Sequence, residues 1–108
     1  MKLYEKKCGP CSDNRPSMKE EQLIFFLNEL HDDWTLIESE KIERTFSFSN
    51  FKKGLSFINQ VGELAEEENH HPTVLLNWGL VKLSLWTNHI KGLSENDFIL
   101  AAKIDRLL

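Results

Sequence analysis

The sequence predicts an α+β fold, in which a four-stranded antiparallel sheet carries three helices on one face. Three stretches place apolar residues at helical spacing, and residues that can cap a helix N-terminus precede them. Two pairs of short strand-like stretches lie between the helices, each bounded by turn residues. The resulting order, α-β-β-α-β-β-α, favours an antiparallel sheet with its helices segregated to one side.

The composition is that of an ordinary soluble globular domain. The chain has 108 residues, 41% of them hydrophobic and 28% charged, with a net charge of −4. A nucleic-acid-binding surface would be basic, so we expect no nucleic-acid partner. The sequence has no apolar run of membrane-spanning length and no signal-peptide pattern, so we expect a cytoplasmic protein without a membrane partner. A domain this small buries a modest fraction of its surface, so self-association would stabilise it.

The first sixteen residues differ from the rest in their turn-rich composition. We expect residues 1–16 to form an N-terminal arm and residues 17–108 to form a single domain. Cys8 and Cys11 are the only cysteines, in a C-G-P-C spacing that resembles thiol-disulfide motifs. Loop-like residues follow the pair where a redox motif would be followed by a helix, and two cysteines alone cannot complete a four-ligand zinc site. A pair in a flexible segment is therefore the favoured interpretation.

The first helix and the first strand pair follow the arm. Ser17 and Glu20 have capping-box spacing, and the apolar spacing after them predicts a helix from Met18 to about His31. His31 is then a surface residue that complements the helix dipole. Two strands are predicted next, at Trp34 to Ile37 and at Lys41 to Phe48. In the second strand one face carries Ile42, Arg44, Phe46 and Phe48.

The second helix has the clearest apolar periodicity in the chain. Ser49 or Asn50 can cap it, and Pro72 must end whatever helix precedes it. The predicted inner stripe is Phe51, Leu55, Ile58, Val61 and Ala65. The helix continues into a run of glutamates, 66–68, which is unfavourable beside the C-terminal end of the dipole. We therefore expect one of these glutamates to serve a local partner such as a histidine.

A second strand pair and a third helix complete the chain. Strands are predicted at Thr73 to Trp78 and Leu80 to Thr87, on either side of Gly79. In the second of these strands Val81, Leu83, Leu85 and Thr87 face one way, and Lys82, Ser84, Trp86 and Asn88 face the other. Ser94 and Asp97 form another capping pair, so a helix is predicted from Glu95 to about Leu107.

Three histidines, His70, His71 and His89, are the candidates for chemistry. A metal site is the weakest interpretation, because adjacent residues in an extended segment point to opposite sides and no helical metal-binding spacing is present. Acid/base catalysis is the second interpretation, because imidazoles titrate near neutrality. The third is that the histidines are hydrogen-bonded and inert. On the residues alone, the second and third interpretations are equally favoured.

Several motifs in fixed order resemble a known family. They are E-x-x-x-H-H-P from Glu66, the pairs Trp78-Gly79 and Trp86-Thr87, and the run I-K-G-L-S-E-N-D-F from Ile90. In this order they resemble the pterin-4a-carbinolamine dehydratase family, and the similarity extends from about Met18 to Leu108. The leading K-K-C-x-x-C also resembles the start of many bacterial members.

The resemblance implies an enzyme without a metal or organic cofactor. Family members dehydrate 4a-hydroxytetrahydrobiopterin, or a related pterin, to the quinonoid dihydropterin in pterin recycling. The α+β fold of the family dimerises or forms a dimer of dimers, so we expect a homodimer or homotetramer that binds a small pterin. The alternative is a non-catalytic pterin-binding or protein-interaction member of the same fold.

The resemblance also assigns the site residues. His70 and His71 match the histidine pair of the family, Glu66 its acidic residue and Asp97 its closing aspartate. The third family histidine aligns with Asn88, so His89 lies one place late, and either residue could fill the third catalytic position. We expect His70, His71 and His89 to be catalytic. The expected substrate-binding residues are Glu66, Pro72, Trp34, Trp86, Thr87, Asn88, Ile90 and Asp97, although a core position is favoured for an isolated tryptophan such as Trp34.

Overall fold

A computed structural model describes residues 2–9 and 18–108 of the chain. Their helices are α1 (Glu20–Leu27), α2 (Phe51–Glu68) and α3 (Glu95–Asp105), and their strands are β1 (Thr35–Ile37), β2 (Lys41–Ser47), β3 (Thr73–Asn77) and β4 (Leu80–Leu85). The strands form one antiparallel sheet in the order β1-β2-β4-β3. The predicted fold and element order are therefore confirmed. No helix in the described part of the chain has the length and apolar character needed to cross a membrane.

The core lies between the helices and the inner face of the two central strands. Ile42 and Phe46 of β2 pack beside Val81, Leu83 and Leu85 of β4 in a single cluster with residues of all three helices. The predicted alternation of faces along both strands is confirmed, because the inward positions are buried. Inside-facing apolar side chains thus fix the register of β2 and β4, and the chain leaving the end of β4 lies near α3.

Helix α1 is shorter than the predicted span from Met18 to His31. It starts after Lys19, whose N–H donates to Gln22 Oε1 at 3.1 Å, while Ser17 of the expected cap lies outside the described residues. It ends at Leu27, because the next residues form tighter i→i+3 hydrogen bonds. His31 consequently lies in a turn, where its Nδ1 accepts from the Asp33 N–H at 3.1 Å, and it does not complement the helix end.

Helix α2 begins as expected, but its inner face agrees with the prediction only in part, at Val61 and Ala65. Asn50 caps the helix by accepting from the Lys53 N–H at 2.8 Å. Phe51 and Leu55 of the predicted stripe are exposed. The observed inner face is instead Gly54, Phe57, Val61, Ala65 and Glu68.

Glycine and aromatic packing explain this rotation of α2. A side chain at Gly54 would place its Cβ 3.0 Å from Leu76 Cδ1, so glycine lets the helix lie this close to the sheet without displacing the Leu76 side chain. Phe57 then packs between Phe46 and Phe48, with ring centroids 4.7 Å and 5.1 Å away. Two stripes with helical spacing were available, and close approach at Gly54 selects the one that contains Phe57.

The turn of the β3–β4 hairpin is hydrogen-bonded to the residue that follows β2. Phe48 donates its N–H to the Gly79 carbonyl at 2.7 Å, and a Cβ at Gly79 would lie 2.3 Å from the Phe48 carbonyl oxygen. Glycine is therefore required at this position. The hairpin leaves β3 at the edge of the sheet, with Val74 and Leu75 exposed.

Residues 2–9 pack on the domain and are not a free tail. Leu3 is buried in the common core, and the short 3-10 turn Leu3–Glu5 lies against α3. Cys8 is half-buried, whereas Cys11 lies outside the described residues. The expectation of a flexible segment is therefore wrong for residues 2–9.

The buried environment of Cys8 predicts an unreactive thiol. Burial, with the negative charge of Glu68 beside it, raises the pKa of the Cys8 thiol to about 12. At pH 8 only about one such thiol in 10⁴ is ionised, so alkylation by iodoacetamide should be far slower than for an exposed cysteine. The rate is measured in a Cys11→Ser variant, native and unfolded in guanidinium. Equal rates in the two states would contradict the prediction.

Candidate functional site

The end of α2 sends the two adjacent histidines in different directions. Asn69 ends the helix in the left-handed conformation, with φ of 53°, and the chain then leaves the helix towards Pro72 and β3. His70 is buried and His71 is exposed. The expectation that neighbours in this segment point to opposite sides is confirmed.

His71 forms a pair with Glu66 at the surface. Its Nε2 lies 2.5 Å from Glu66 Oε2, and the two side chains are 54% and 78% exposed. Glu66 lies in the last turn of α2, so one glutamate of the run does serve a histidine, as expected. A carboxylate on one ring nitrogen orients the imidazole, which suits a proton-transferring group open to a substrate.

His70 belongs to a buried polar network with Asp97. His70 Nε2 lies 2.6 Å from Asp97 Oδ1, while Asp97 Oδ2 accepts from the Thr87 hydroxyl at 2.7 Å and from the Ser94 N–H at 2.9 Å. The hydroxyls of Thr87 and Ser94 are themselves 2.9 Å apart. The network joins the end of α2, the residues after β4 and the start of α3, and it fixes the orientation of the His70 ring.

The two histidines therefore occupy different chemical environments. The His71 pair is open to solvent, as acid/base chemistry on a bound molecule requires. The His70 pair is enclosed and satisfied by hydrogen bonds, as expected for a histidine that holds structure. The ring of His71 is open to a bound molecule, whereas any part of His70 in the reaction depends on how Asp97 holds its ring.

A cavity lies on the outer side of the sheet end. Trp86 donates its indole N–H to Asn88 Oδ1 at 2.6 Å, and the Lys41 ammonium lies 5.9 Å from the centre of the indole ring. The cavity has a volume of about 400 Å³, and its lining residues are Ile37, Glu38, Glu40, Lys41, Trp86, Asn88 and Lys91. Neither His70 nor His71 lines this cavity. The expected catalytic histidines and the expected substrate-binding Trp86 therefore lie in separate places within one chain.

The chain after β4 is not a regular strand. β4 ends at Leu85, two residues before the predicted end, and Asn88–Ile90 form a 3-10 turn closed by a bridge between Thr87 and Gly92. The Asn88 side chain is engaged by Trp86, whereas the side chain of His89 lies outside what the structure describes. The choice between Asn88 and His89 therefore stays a prediction.

Trp34 lies in the core, as favoured for an isolated tryptophan. Its indole N–H donates to Asp105 Oδ1 at 2.8 Å, and Arg44 Nη1 reaches the same oxygen at 2.6 Å. Asp105 is the last residue of α3 and lies about 12 Å along the helix from Asp97. Trp34 is thus remote from the His70 network, and Trp86 is the candidate for an aromatic wall.

One feature of the site is absent from the sequence-based expectations. Glu68 is buried on the inner face of α2, a position that the spacing from Phe57 through Val61 and Ala65 indicates. Of the other expected site residues, Pro72 is half-buried directly after the histidine pair, and Ile90 is half-buried as the last residue of the 3-10 turn. Among the described residues, no three His, Cys, Asp or Glu side chains are arranged to hold a metal ion.

Comparison with known proteins identifies similar chains along nearly the whole length. The family model described as Pterin 4 alpha carbinolamine dehydratase matches residues 16–107. A relative of that name from Alkaliphilus metalliredigens is 48% identical over 104 residues, covering 96% of this chain and 94% of the relative. Another from Rubrobacter xylanophilus is 44% identical over 105 residues, covering 97% of each.

Solved structures share the fold. A transcriptional coactivator/pterin dehydratase from Brucella melitensis superimposes with a TM-score of 0.78 at 28% identity, covering 84% of this chain and 97% of that chain. A pterin dehydratase-like protein that is a RuBisCO assembly factor in the alpha-carboxysome gives a TM-score of 0.60 at 22% identity, covering 71% and 90%. The second likeness concerns the fold alone.

Proposed function

The chain belongs to the pterin 4 alpha carbinolamine dehydratase family, and on that premise we propose that it dehydrates a 4a-hydroxytetrahydropterin to the quinonoid dihydropterin. The observation that carries the proposal is the hydrogen-bonded pair of His71 and Glu66 at the open end of α2. An imidazole held by a carboxylate is suited to moving protons near neutral pH.

The reaction requires one proton to be delivered and one to be removed. A donor protonates the hydroxyl oxygen on carbon 4a, the carbon–oxygen bond breaks and water leaves. A base takes the proton from the neighbouring ring N–H as the carbon–nitrogen double bond forms. No net oxidation occurs, so histidines acting as acid and base are sufficient for the proton transfers.

The roles of the residues follow from their surroundings. His71 exchanges protons with the substrate, while Glu66 orients its ring. His70 is held by Asp97, and the Thr87 hydroxyl belongs to the same buried network, where it positions the site. Trp86 lines the separate cavity, so this proposal gives it no contact with the pterin.

A non-catalytic pterin-binding or interaction protein is the alternative, and one observation favours it. Asn88 stands where the family places its third histidine, and an amide cannot supply a proton at neutral pH. A turnover assay with freshly generated 4a-hydroxytetrahydropterin is combined with a fluorescence titration using a stable dihydropterin. Turnover supports the proposed function, whereas saturable binding without turnover supports the alternative.

Self-association is proposed from the exposed edge of the sheet. The strand β3 carries no charged residue and presents unpaired backbone groups beside exposed apolar side chains, including those of Val74 and Leu75. Pairing of such edges across a two-fold axis would give a homodimer, and a second contact would give a homotetramer.

Analytical ultracentrifugation of the purified chain tests this assembly. We expect a dimer or tetramer at micromolar concentration, and Leu75→Lys should shift it towards monomer because the lysine charge opposes edge pairing. Ile24→Lys is the matched control, since Ile24 on α1 is 50% exposed and Leu75 is 49% exposed. A wild-type chain that sediments only as a monomer would refute the proposal.

A further inference from the structure

The described part of the N-terminal arm, residues 2–9, is attached to the start of α3. Gly9 N–H donates to Asn96 Oδ1 at 3.0 Å, and Asn96 Nδ2 donates back to the Gly9 carbonyl at 2.8 Å. Lys6 Nζ lies 2.7 Å from Glu95 Oε2, and Leu3 is buried in the core. The hydrogen bonds of Gly9 and the ion pair of Lys6 thus fall on Asn96 and Glu95, the two residues immediately before Asp97, which is the partner of His70.

The arm is also attached to the end of α2, through Glu68. The Cys8 N–H donates to Glu68 Oε1 at 2.8 Å, and Lys103 Nζ of α3 lies 3.5 Å from Glu68 Oε2. Burial raises the pKa of the Glu68 carboxyl, but the Cys8 N–H and the Lys103 charge outweigh burial, and the net pKa is lowered. Glu68 therefore remains ionised at neutral pH, only two residues before His70.

Glu68 is otherwise badly placed for stability. A carboxylate in the last turn of a helix opposes the helix dipole, and its burial removes it from water. Glutamates 66 and 67 in the same turn are exposed. Through its contacts with the Cys8 N–H and the Lys103 ammonium, the Glu68 carboxylate joins α2 to the arm and to α3. It does so two residues before His70.

We propose that Glu68 is a positioning residue, through which the arm and α3 hold His70 against Asp97. Two adjacent residues of the arm, Cys8 and Gly9, contact the segments that precede His70 and Asp97. Cys8 fixes the chain just before His70, through Glu68, and Gly9 fixes the chain just before Asp97, through Asn96. The relevance to turnover rests on the proposed function, but the positioning itself is a property of the folded chain.

The test compares Glu68→Ala with the matched control Glu67→Ala, which removes the same charge from the neighbouring exposed position. The first readout is the ring N–H proton resonance of His70 in ¹⁵N-histidine-labelled protein, because with Asp97 as a carboxylate, Nε2 donates to it. We expect Glu68→Ala to broaden or shift this resonance and Glu67→Ala to leave it unchanged. Glu68→Gln keeps an acceptor for Cys8 and should restore part of the wild-type signal.

The second readout separates kcat from KM. Misplacement of His70 should lower kcat by about tenfold or more in Glu68→Ala, with KM changed less than kcat. A folded Glu68→Ala variant with the wild-type His70 resonance would overturn the proposal. A wild-type chain without dehydratase activity would instead refute the proposed function, and the resonance comparison would still decide the role of Glu68.

A second pair of variants, at Gly9, tests the proposal even if Glu68→Ala fails to fold. Gly9→Pro removes the N–H that Asn96 accepts, whereas Gly9→Ala keeps it, and a Cβ at Gly9 meets no atom within 4 Å. We expect Gly9→Pro to disturb the His70 resonance and Gly9→Ala to leave it unchanged. An undisturbed resonance in Gly9→Pro would show that the arm does not position His70.

Discussion

Replacing His71 with alanine is expected to lower turnover by about two to four orders of magnitude. In the proposed mechanism the imidazole transfers protons at the open end of α2, where its Nε2 is held by Glu66 at 2.5 Å. Because both side chains are exposed, their removal should cost the fold little, and the loss should appear in kcat. Glu66→Gln should give a smaller loss, since the ring remains but its orientation changes.

His31 provides a matched control for this variant. It is the other histidine with a described, exposed side chain, its imidazole being 50% exposed, and its Nδ1 accepts a hydrogen bond from the Asp33 N–H. His31→Ala should leave the dehydration rate unchanged. If His71→Ala keeps the wild-type rate with its circular dichroism spectrum intact, His71 has no catalytic role.

Replacing His89 with alanine is expected to cost a similar factor, about 10²–10⁴ in rate. The family resemblance places Asn88 at the third histidine position, but its amide is engaged by the Trp86 N–H and cannot deliver a proton at neutral pH. Residues 88–90 form a 3-10 turn, so the strict alternation of strand neighbours does not exclude His89 from the site. We therefore propose that His89 supplies the third imidazole.

The reverse variant distinguishes the two residues. If His89 is catalytic, Asn88→His should leave the rate near the wild-type value or lower it through loss of the bond to Trp86. If Asn88 fills the position, His89→Ala should be nearly silent and Asn88→His should raise the rate. That second pattern, measured by initial rates on the two single variants, would contradict the assignment of His89.

The fold was predictable wherever the residue pattern along a single element was compatible with only one buried face or one helix start. Alternation along β2 and β4 gave the buried faces, and the pairing of Ser94 with Asp97 gave the start of α3. The inner face of α2 was not predictable in this way, because the stripes through Leu55 and Phe57 both have helical spacing. Their difference depends on how closely Gly54 approaches Leu76, a contact between residues far apart in the chain.

The same distinction holds for the candidate site. The pairing of Glu66 with His71 is local, so a glutamate run beside a histidine pair was enough to suggest it. The enclosure of His70 and the burial of Glu68 depend on α3 and on residues 2–9, which are distant in sequence. The resemblance named Asp97 as a site residue, but only the folded chain joins it to His70.

The rate at which the purified chain removes a 4a-hydroxytetrahydropterin, relative to the uncatalysed rate in the same buffer, tests the central claim most directly. We predict an acceleration that is proportional to protein concentration, that is retained in His31→Ala and that is lost in His71→Ala. A wild-type rate equal to the uncatalysed rate, in protein whose fold is intact, would contradict the assignment of this chain as a dehydratase.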